Sequence, residues 1–393
     1  MTSAPASTPL SVLDRSPVRE GHDGPAALRD TVRFAQQAEA LGYHRFWVSE
    51  HHSVPGVAGS APTVLAAAVA SATSAIRVGT GGVMLPNHQP FVVAEQFGVL
   101  ASLFPGRIDM GLGRSVGFTE PVRRALGRGK DDMELFERSL DELLRYFADS
   151  SGPADPSGSA DPGRPASSSS PADPGRPASS SSPADPGTPA SSSTPADSSR
   201  STVRAHPADA LRVPAYILAT GEGAGVAARA GLPLVIGGVR GRDRLLAAID
   251  RYRAEFTPAP WGDRPYVIYS GTVAVADTDA LAHRMLLSEA WSLAYSRTHG
   301  VFPPLLPPER IETLTMTERE RRLLESGLRG GIAGTEDRVR EELTSVIRDT
   351  GADEVLVTTA AYDRDALLDS YRRLARIAGT PEHRPPTGDR SDD

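Results

Sequence analysis

The amino-acid sequence predicts an α/β fold, and more specifically a (β/α)8 barrel. Eight short apolar runs alternate with segments of helical periodicity along most of the 393 residues. Several of these runs are almost continuously hydrophobic, as expected for parallel strands that are buried on both faces. Regular alternation of strand and helix is typical of parallel α/β proteins. A doubly wound open sheet would show the same periodicity, so both architectures remain open at this point.

The predicted strands form two groups of four, separated by a segment of unusual composition. In chain order they are 10–14, 45–50, 76–85, 107–113, 215–219, 233–238, 266–276 and 354–359. Helical periodicity occupies 25–41, 62–74, 90–103, 131–148, 222–230, 243–256, 278–296, 335–349 and 363–377. Pro25 at the start of the first helix and Gly42 just beyond its end are typical of helix termini. We expect residues from about 290 to 330 to form a long loop over the mouth of the barrel.

A tandem repeat interrupts this pattern between the fourth helix and the fifth strand. Its unit is twelve residues long, ADPGRPASSSSP, and residues 151–200 contain no Leu, Ile, Val, Met or aromatic side chain. Such a segment cannot bury enough apolar surface to offset the entropy of ordering, so we expect disorder there. In a barrel it would lie on the face opposite the active site. The predicted organisation is a disordered N-terminus (1–9), a first half-barrel (10–150), a disordered insert (151–205), a second half-barrel (206–378) and a disordered tail (379–393).

Composition narrows the classes of function. The chain has no cysteine, which excludes disulfides, thiolate nucleophiles and cysteine-ligated metals. Its formal net charge is −7 and it has no basic cluster, so we expect no nucleic-acid partner. The N-terminus lacks the regions of a signal peptide, and the most apolar run, 62–76, is too short to span a bilayer. We therefore predict a cytoplasmic protein that has no membrane partner and acts on small molecules.

The most distinctive polar cluster is Glu50-His51-His52, at the end of the second predicted strand. In a barrel, the carboxyl ends of all strands converge on one mouth, where side chains meet a ligand. The cluster is compatible with a solvated turn, with a metal site, or with a histidine that acts as general acid or base at neutral pH. Adjacent histidines do not easily face one ion and no HxH or HExxH spacing occurs, so we predict no metal site.

Two further strand ends carry residues typical of ligand sites. Gly81 and Gly82 interrupt the third strand, which indicates either a bulge or the close approach of a ligand to the backbone. Arg114 follows the fourth strand, where it would either bind a phosphate or carboxylate or form a surface salt bridge.

The sequence TGEGAGVAARAG follows the fifth strand and opens a predicted helix. Backbone amides at such a position can hold a phosphate. Gly221 and Gly223 also match the first two glycines of a dinucleotide-binding fingerprint, but Val226 stands at the third position. A phosphate loop is therefore favoured over a nicotinamide-binding Rossmann unit, and a nicotinamide-dependent dehydrogenase is retained as a rival.

Four runs of the sequence resemble the bacterial luciferase-like flavin-dependent monooxygenases, in particular their non-luminescent branch. They are RFWVSEHH, IRVGTGGVMLPNHQP, EQFGVLASLFPGRIDMGLGRS and GADEVLVTTAAYDRDALLDSYRRLA. The resemblance covers roughly residues 10–148 and 213–378. It implies a (β/α)8 barrel that binds reduced flavin mononucleotide (FMN) at its mouth. With dioxygen, members form a flavin 4a-hydroperoxide that oxygenates a small organic substrate.

The resemblance also implies roles for individual residues. The catalytic histidine of the family corresponds to His51, with His52 beside it. The small-residue pair beneath the flavin ring, often joined by a non-proline cis peptide, corresponds to Gly81-Gly82 and is followed by Val83. The phosphate-binding residues correspond to Arg114 and to Thr220, Gly221 and Gly223. Glu222 departs from the family pattern because it adds an anion near the proposed phosphate.

Members of this family generally form homodimers and receive reduced flavin from a separate flavin reductase, and the resemblance implies both here. Some proteins with similar motifs use the deazaflavin coenzyme for hydride transfer and have no oxygen chemistry. Others bind a flavin without catalysis. The retained Glu50-His51-His52 cluster favours an enzyme over such a binding protein.

Overall fold

The computed structural model describes residues 8–147, 203–209, 211–239 and 241–380. Within these ranges, eight parallel strands close into a ring in the order β1-β2-β3-β5-β6-β7-β8-β11, with β11 paired to β1 and β3 paired to β5. The predicted (β/α)8 barrel is confirmed, and the open sheet is excluded. The strands are β1 (Leu10–Asp14), β2 (Arg45–Val48), β3 (Arg77–Thr80), β4 (Val83–Met84), β5 (Ile108–Gly113), β6 (Ala215–Ala219), β7 (Leu234–Gly237), β8 (Val267–Gly271), β9 (Val273–Val275), β10 (Ile332–Gly334) and β11 (Glu354–Val357).

Two of the predicted strands are divided in the structure. The run at 76–85 forms β3 and the short β4, separated by Gly81 and Gly82. The run at 266–276 forms β8, which belongs to the barrel, and β9, which pairs with β10 in a separate two-stranded sheet. The sequence did not predict β10, because its three residues follow two glycines, end in a third and are too few to show alternation.

Helices surround the barrel, and nine of those in the described part of the chain match predicted segments. The first begins after Asp23, whose side chain accepts a hydrogen bond from the Ala26 amide. Three helices, α4, α9 and α10, were not predicted as such. The helices are α1 (Gly24–Ala40), α2 (Pro62–Ala72), α3 (Pro90–Leu103), α4 (Glu120–Ala125), α5 (Phe136–Arg145), α6 (Gly223–Arg229), α7 (Arg242–Glu255), α8 (Asp279–His299), α9 (Pro308–Glu312), α10 (Glu318–Arg329), α11 (Glu336–Thr350) and α12 (Arg364–Ala378).

The prediction of a long loop from about 290 to 330 was wrong. Helix α8 continues to His299, and α10 packs against it around the buried Trp291 and Leu324. A capping box starts α10: the Thr317 hydroxyl accepts from the Glu320 amide, and the Glu320 carboxylate accepts from the Thr317 amide. Residues 300–307 are neither helix nor strand, and they contribute to the wall of the mouth.

The predictions made for residues 1–7, 148–202 and 381–393 lie outside the described residues. At their margins, the Pro9 carbonyl accepts a hydrogen bond from Val355, and the Thr380 hydroxyl donates to the Leu41 carbonyl at 3.0 Å. The folded unit therefore extends slightly past the predicted limits at both ends. Within the ranges that the structure describes, no helix combines the length and apolar character that crossing a bilayer requires.

The barrel interior is filled at its amino-terminal end by a buried ion network. Arg45 donates to Asp109 at 2.9 Å and to Glu354 at 3.0 Å, and all three side chains are 0% exposed. Arg77 forms a second ion pair with Asp109. Burial alone would raise the pKa of Asp109, but the two arginines hold it at about 2. Two cations and two anions thus balance each other inside the barrel.

We expect Arg45→Met to lower the free energy of unfolding by about 3–5 kcal/mol, because it leaves the buried Asp109 and Glu354 without their shared partner. Urea unfolding followed by circular dichroism would measure this loss. Arg251→Met is the control, since Arg251 forms an exposed pair with Glu255 within one helix, and such pairs contribute about 0.5 kcal/mol or less. Equal effects of the two substitutions would contradict the importance of the network.

Candidate active site

The carboxyl ends of the strands surround a cavity of about 300 Å³. Most of the ring contributes to it, from β2 through β3, β5, β6 and β7 to β8. Its lining combines polar groups at the rim with apolar side chains deeper in the barrel, as is usual for small-molecule sites. The lining residues are Ser49, Glu50, His51, Gly81, Gly82, Met84, Gly113, Arg114, Ser115, Phe118, Leu218, Ala219, Thr220, Val235, Gly237 and Ser270.

His51 lies in the cavity wall, as predicted for a histidine at this strand end. Its Nδ1 lies 3.1 Å from the Ser49 hydroxyl, and its ring stacks on that of Phe118 with centroids 6.2 Å apart. Burial lowers the pKa of His51 to about 4, and the positive charge of Arg15 contributes to the shift. The imidazole is therefore neutral at pH 7. The expected pKa near neutrality does not hold in this structure, because the ring is enclosed.

His52 points away from the cavity and towards the buried carboxylate of Glu50. Its Nε2 donates to Glu50 Oε1 at 2.6 Å, and His88 Nε2 donates to the same oxygen at 2.9 Å. The Met84 amide donates to the other carboxylate oxygen, Oε2, at 2.8 Å. Burial alone would raise the pKa of Glu50, but these hydrogen bonds bring it to about 2. Glu50 thus links the loop after β2 to β4 and to the residues that follow β4. His52 therefore contacts Glu50 and is not part of the cavity lining, unlike the predicted position of a catalytic histidine.

Gly81 and Gly82 lie in the cavity wall, and the peptide bond between them is cis. A Cβ on Gly82 would approach the Gly111 carbonyl oxygen to 2.8 Å, and one on Gly81 would approach the Leu13 side chain to 2.5 Å. Packing inside the barrel therefore requires small residues here. Val83 is buried in β4 behind this wall.

Arg114 and Thr220 follow the neighbouring strands β5 and β6 and line the same side of the cavity. Arg114 Nη2 donates to Glu222 Oε2 at 3.2 Å in an exposed ion pair. Arg114 was predicted either to bind a phosphate or carboxylate or to form a surface salt bridge. The structure contains the salt bridge, and Arg114 also lines the cavity. Gly221 has a φ of +126°, a conformation that favours glycine, and it turns the chain from Thr220 into α6. Gly223 begins α6 and is buried.

The sequence did not single out several residues that the structure brings to the mouth. Phe118 comes from the loop after β5, and Ser270 comes from the end of β8. Arg15, at the end of β1, forms an ion pair with Glu289 of α8 beside His51. Among these residues, only Arg15 directly follows a predicted strand, which is the one local feature that could have identified it. Among the described residues, no group of three or more histidine, aspartate or glutamate side chains is arranged to hold a metal ion.

Comparison with known proteins identifies the family. The sequence model of the family described as luciferase-like monooxygenase matches residues 8–354. The chain belongs to the luciferase-like monooxygenase family. The family and the monooxygenases among its relatives indicate an oxidoreductase that incorporates oxygen, and the resemblance found in the sequence motifs is confirmed.

Relatives of this luciferase-like monooxygenase match over nearly the whole chain. A luciferase-like monooxygenase of Escherichia coli K12 is 30% identical over 364 residues, which cover 92% of this chain and 94% of that protein. The crystal structure of apo-MsnO8 is 29% identical, covers 96% of this chain and 99% of that one, and superimposes with a TM-score of 0.73. The barrel also resembles the oxygenating constituent of 3,6-diketocamphane monooxygenase from Pseudomonas putida, solved in complex with FMN. That likeness, with 18% identity, coverage of 97% and 100% and a TM-score of 0.63, concerns the fold alone.

We expect the imidazole of His51 to titrate with an apparent pKa of about 4, because burial disfavours its charged form. Since this value lies below that of the unfolded chain, the contribution to stability is complete above about pH 6.5 and is lost as the pH falls through about 4. Histidine NMR titration would measure it, with His51→Gln assigning the signal.

Arg15→Gln should raise the pKa of His51, because it removes a nearby positive charge. Arg284→Gln is the matched control, since Arg284 pairs with Glu309 and Glu312 away from the mouth. A His51 signal that titrates near 6.5 in the unmodified protein would contradict the burial argument.

Proposed function

We propose that this luciferase-like monooxygenase uses reduced FMN and dioxygen to oxygenate a small organic substrate. The observation that carries the proposal is a cavity that brings together His51, Gly81 and Gly82 with Arg114 and Thr220. The first group comes from β2 and the junction after β3, and the second from β5 and β6. A flat ligand with an anionic tail could contact both groups at once.

The chemistry of the lining fits FMN. Arg114 supplies a guanidinium, which is suited to bidentate contact with a phosphate, and the exposed Thr220 and Ser115 supply hydroxyl groups. Met84, Leu218 and Val235 supply apolar surface in the same cavity. The cavity volume of about 300 Å³ lies at the lower end of the range for small-molecule sites. Glu222 is the unfavourable element, because its carboxylate would compete with the phosphate for Arg114.

In this proposal the protein positions the reactants, and reduced FMN supplies the electrons that activate dioxygen. Gly81 and Gly82, which line the cavity, would present their peptide backbone to the flavin ring. His51, neutral at pH 7, would donate a hydrogen bond to the flavin or the substrate, or accept one from it. Its other nitrogen would be oriented by Ser49. Glu50 and His52 would act as positioning residues by fixing the loop that carries His51.

Anaerobic equilibrium titration with reduced FMN and, in parallel, with the reduced deazaflavin coenzyme would test this proposal. Tighter binding of reduced FMN, followed by oxygen-dependent spectral changes when air is admitted, would support the monooxygenase. Preference for the deazaflavin would replace it with a hydride-transfer enzyme on the same barrel.

We also propose that a separate flavin reductase supplies the reduced cofactor, as the family resemblance implies. The protein with FMN and a reduced nicotinamide should then consume no oxygen beyond the background rate. Addition of a flavin reductase should start consumption. Oxygen consumption by the protein alone would contradict this partnership.

A homodimer is proposed from an exposed apolar face on α2 and α3. These helices are adjacent, with a hydrogen bond of 3.1 Å between Thr63 and Gln96. Large apolar side chains on their outer surface are exposed, and a second copy of the chain would bury them. They are Val64, Val92, Val99 and Leu103.

We expect Arg114→Gln to weaken FMN binding by about tenfold or more, because a charged hydrogen bond to the phosphate is lost. Glu222→Gln should strengthen FMN binding, since it removes the competing anion. Neither change should affect riboflavin, which has no phosphate. Fluorescence titration with both flavins would measure these effects, with Arg124→Gln as an exposed control that pairs with Glu120. Equal changes for FMN and riboflavin would contradict the placement of the phosphate.

The double substitution Val99→Glu with Leu103→Glu should convert the dimer to a monomer, because it places charges in the centre of the apolar interface. Sedimentation velocity would measure the oligomeric state. Leu281→Glu is the control, since Leu281 is 50% exposed, close to the 48% of Val99, but lies on α8. A monomeric unmodified protein, or a dimer that survives the double substitution, would contradict the proposed interface.

A further inference from the structure

A second, smaller cavity adjoins the mouth of the barrel at His51. Its volume is about 90 Å³, or roughly that of three liquid waters at about 30 Å³ each. It therefore fits one end of a small molecule. The ends of β1, β2 and β11, helix α8 and the segment 300–307 contribute to its walls. The lining residues are Arg15, Pro17, His51, Gly56, Val57, Glu289, Ser292, Leu293, Phe302, Leu305 and Ala360.

Aromatic rings connect this cavity to the larger one. His51 lines both cavities. Phe118 lines the larger cavity, and its ring stacks on that of His51 with centroids 6.2 Å apart. Phe302 lines the smaller cavity, and its ring centroid lies 6.0 Å from that of Phe118. A molecule in the smaller cavity would therefore lie against His51, beside the space assigned to FMN.

The segment that carries Phe302 is held firmly in place. The Phe302 carbonyl accepts a hydrogen bond of 2.9 Å from the Gly56 amide, and the Leu305 amide donates to the Val18 carbonyl at 2.8 Å. A Cβ on Gly56 would approach the Pro303 carbonyl oxygen to 2.1 Å, so the two segments are in direct contact. The cavity is thus a formed part of the fold.

An ion pair forms the polar end of this cavity. Arg15 Nη2 pairs with Glu289 Oε1 and donates to the Thr358 carbonyl at 3.1 Å. The other carboxylate oxygen of Glu289 accepts from the Ala360 amide at 3.0 Å. The side chains of Arg15 and Glu289 are only 32% and 18% exposed, respectively. Both charges are therefore held in place and partly shielded from solvent.

The charges of the lining sum to zero. Arg15 is positive, Glu289 is negative, and His51 is neutral at pH 7 because it is buried. A carboxylate placed here would lie close to Glu289, and an ammonium group would lie close to Arg15. Either ion would lose hydration without gaining a free partner of opposite charge. Uncharged groups avoid that penalty.

Arg15 can still recognise a neutral hydrogen-bond acceptor. A guanidinium has five N–H donors, and among the described residues its contacts with Glu289 and Thr358 both use Nη2. The remaining donors suit the oxygen of a carbonyl group. Apolar side chains form much of the rest of the wall and suit hydrocarbon. They are Pro17, Val57, Leu293, Phe302 and Leu305.

We propose that this cavity is the subsite for the organic substrate, and that it selects an uncharged, largely apolar end with a carbonyl-type acceptor for Arg15. The inference rests on the proposed function, because it assumes that FMN occupies the larger cavity on the other side of His51. It adds the chemical class of the substrate and the residues that select it.

Three probes of equal chain length test the selectivity: 2-heptanone, heptanoate and heptylamine. Their dissociation constants would be measured by ligand-observed NMR on the full chain, with and without oxidised FMN. We expect the unmodified protein to bind 2-heptanone about tenfold or more tightly than either ion. Equal or tighter binding of heptanoate or heptylamine, or no binding of any probe, would overturn the proposal.

Substitutions that alter the charge locate the effect in this cavity. Arg15→Gln leaves Glu289 unbalanced and should shift the preference towards heptylamine, whereas Glu289→Gln should shift it towards heptanoate. The double substitution removes both charges and should again disfavour both ions. Arg284→Gln and Glu309→Gln make the same chemical changes in an exposed pair and should leave the ranking unchanged.

Thermal unfolding of each variant identifies any that fail to fold. If either single variant unfolds, the ranking in the unmodified protein and in the double variant decides the matter. An unchanged ranking in the folded charge variants would overturn the assignment of the cavity.

Titration with FMN separates this proposal from the proposed function. If FMN binds but the ranking of the three probes is the same in the charge variants as in the unmodified protein, the proposed subsite is wrong and the cofactor proposal stands. If the ranking of the probes changes in the charge variants as expected but FMN does not bind, the selectivity of the cavity is supported and the cofactor proposal is overturned.

Discussion

The ion network around Arg45 is the interaction on which the rest of the barrel depends. Arg45, Asp109 and Glu354 begin or nearly begin three different strands, and Tyr216 and Tyr266 add hydroxyl groups from two further parts of the ring. Hydrogen bonds to several strands tie the two sides of the barrel together at its amino-terminal end. Because partners of opposite charge are supplied in equal number, the network can be buried without an uncompensated ion.

This filled lower end determines where a ligand can bind. Above the ions lies an apolar layer that includes Trp47, Tyr216 and Ile268, and Trp47 also donates to Asp109 at 3.0 Å. Leu218 and Val235 belong to that layer and form part of the floor of the larger cavity. The cavity consequently opens only towards the carboxyl ends of the strands, where Glu50 holds the loop that carries His51. The site is thus supported from below by packing and from the side by a buried carboxylate.

Local sequence patterns predicted the barrel and the strand ends that form its mouth. His51, Gly81, Gly82, Arg114 and Thr220 line one cavity, whereas His52 turns towards Glu50 because adjacent side chains point in different directions. The capping-box spacing of Thr317 and Glu320 could be recognised in the sequence, but the proline-rich residues 303–308 before it suggested a loop. The pairing of Arg15 with Glu289 spans 274 residues of sequence, so no local pattern could reveal it. The low pKa of His51 likewise depends on enclosure by distant segments.

The crystal structure of the complex with oxidised FMN would test the central claim most directly. We predict that the phosphate contacts Arg114 and Thr220, that Glu222 has left Arg114, and that the ring lies between His51 and the Gly81-Gly82 peptide. The smaller cavity beside His51 should remain free for a substrate. A phosphate bound elsewhere, or a flavin ring that fills the smaller cavity, would contradict the proposed division of the mouth into a cofactor site and a substrate site.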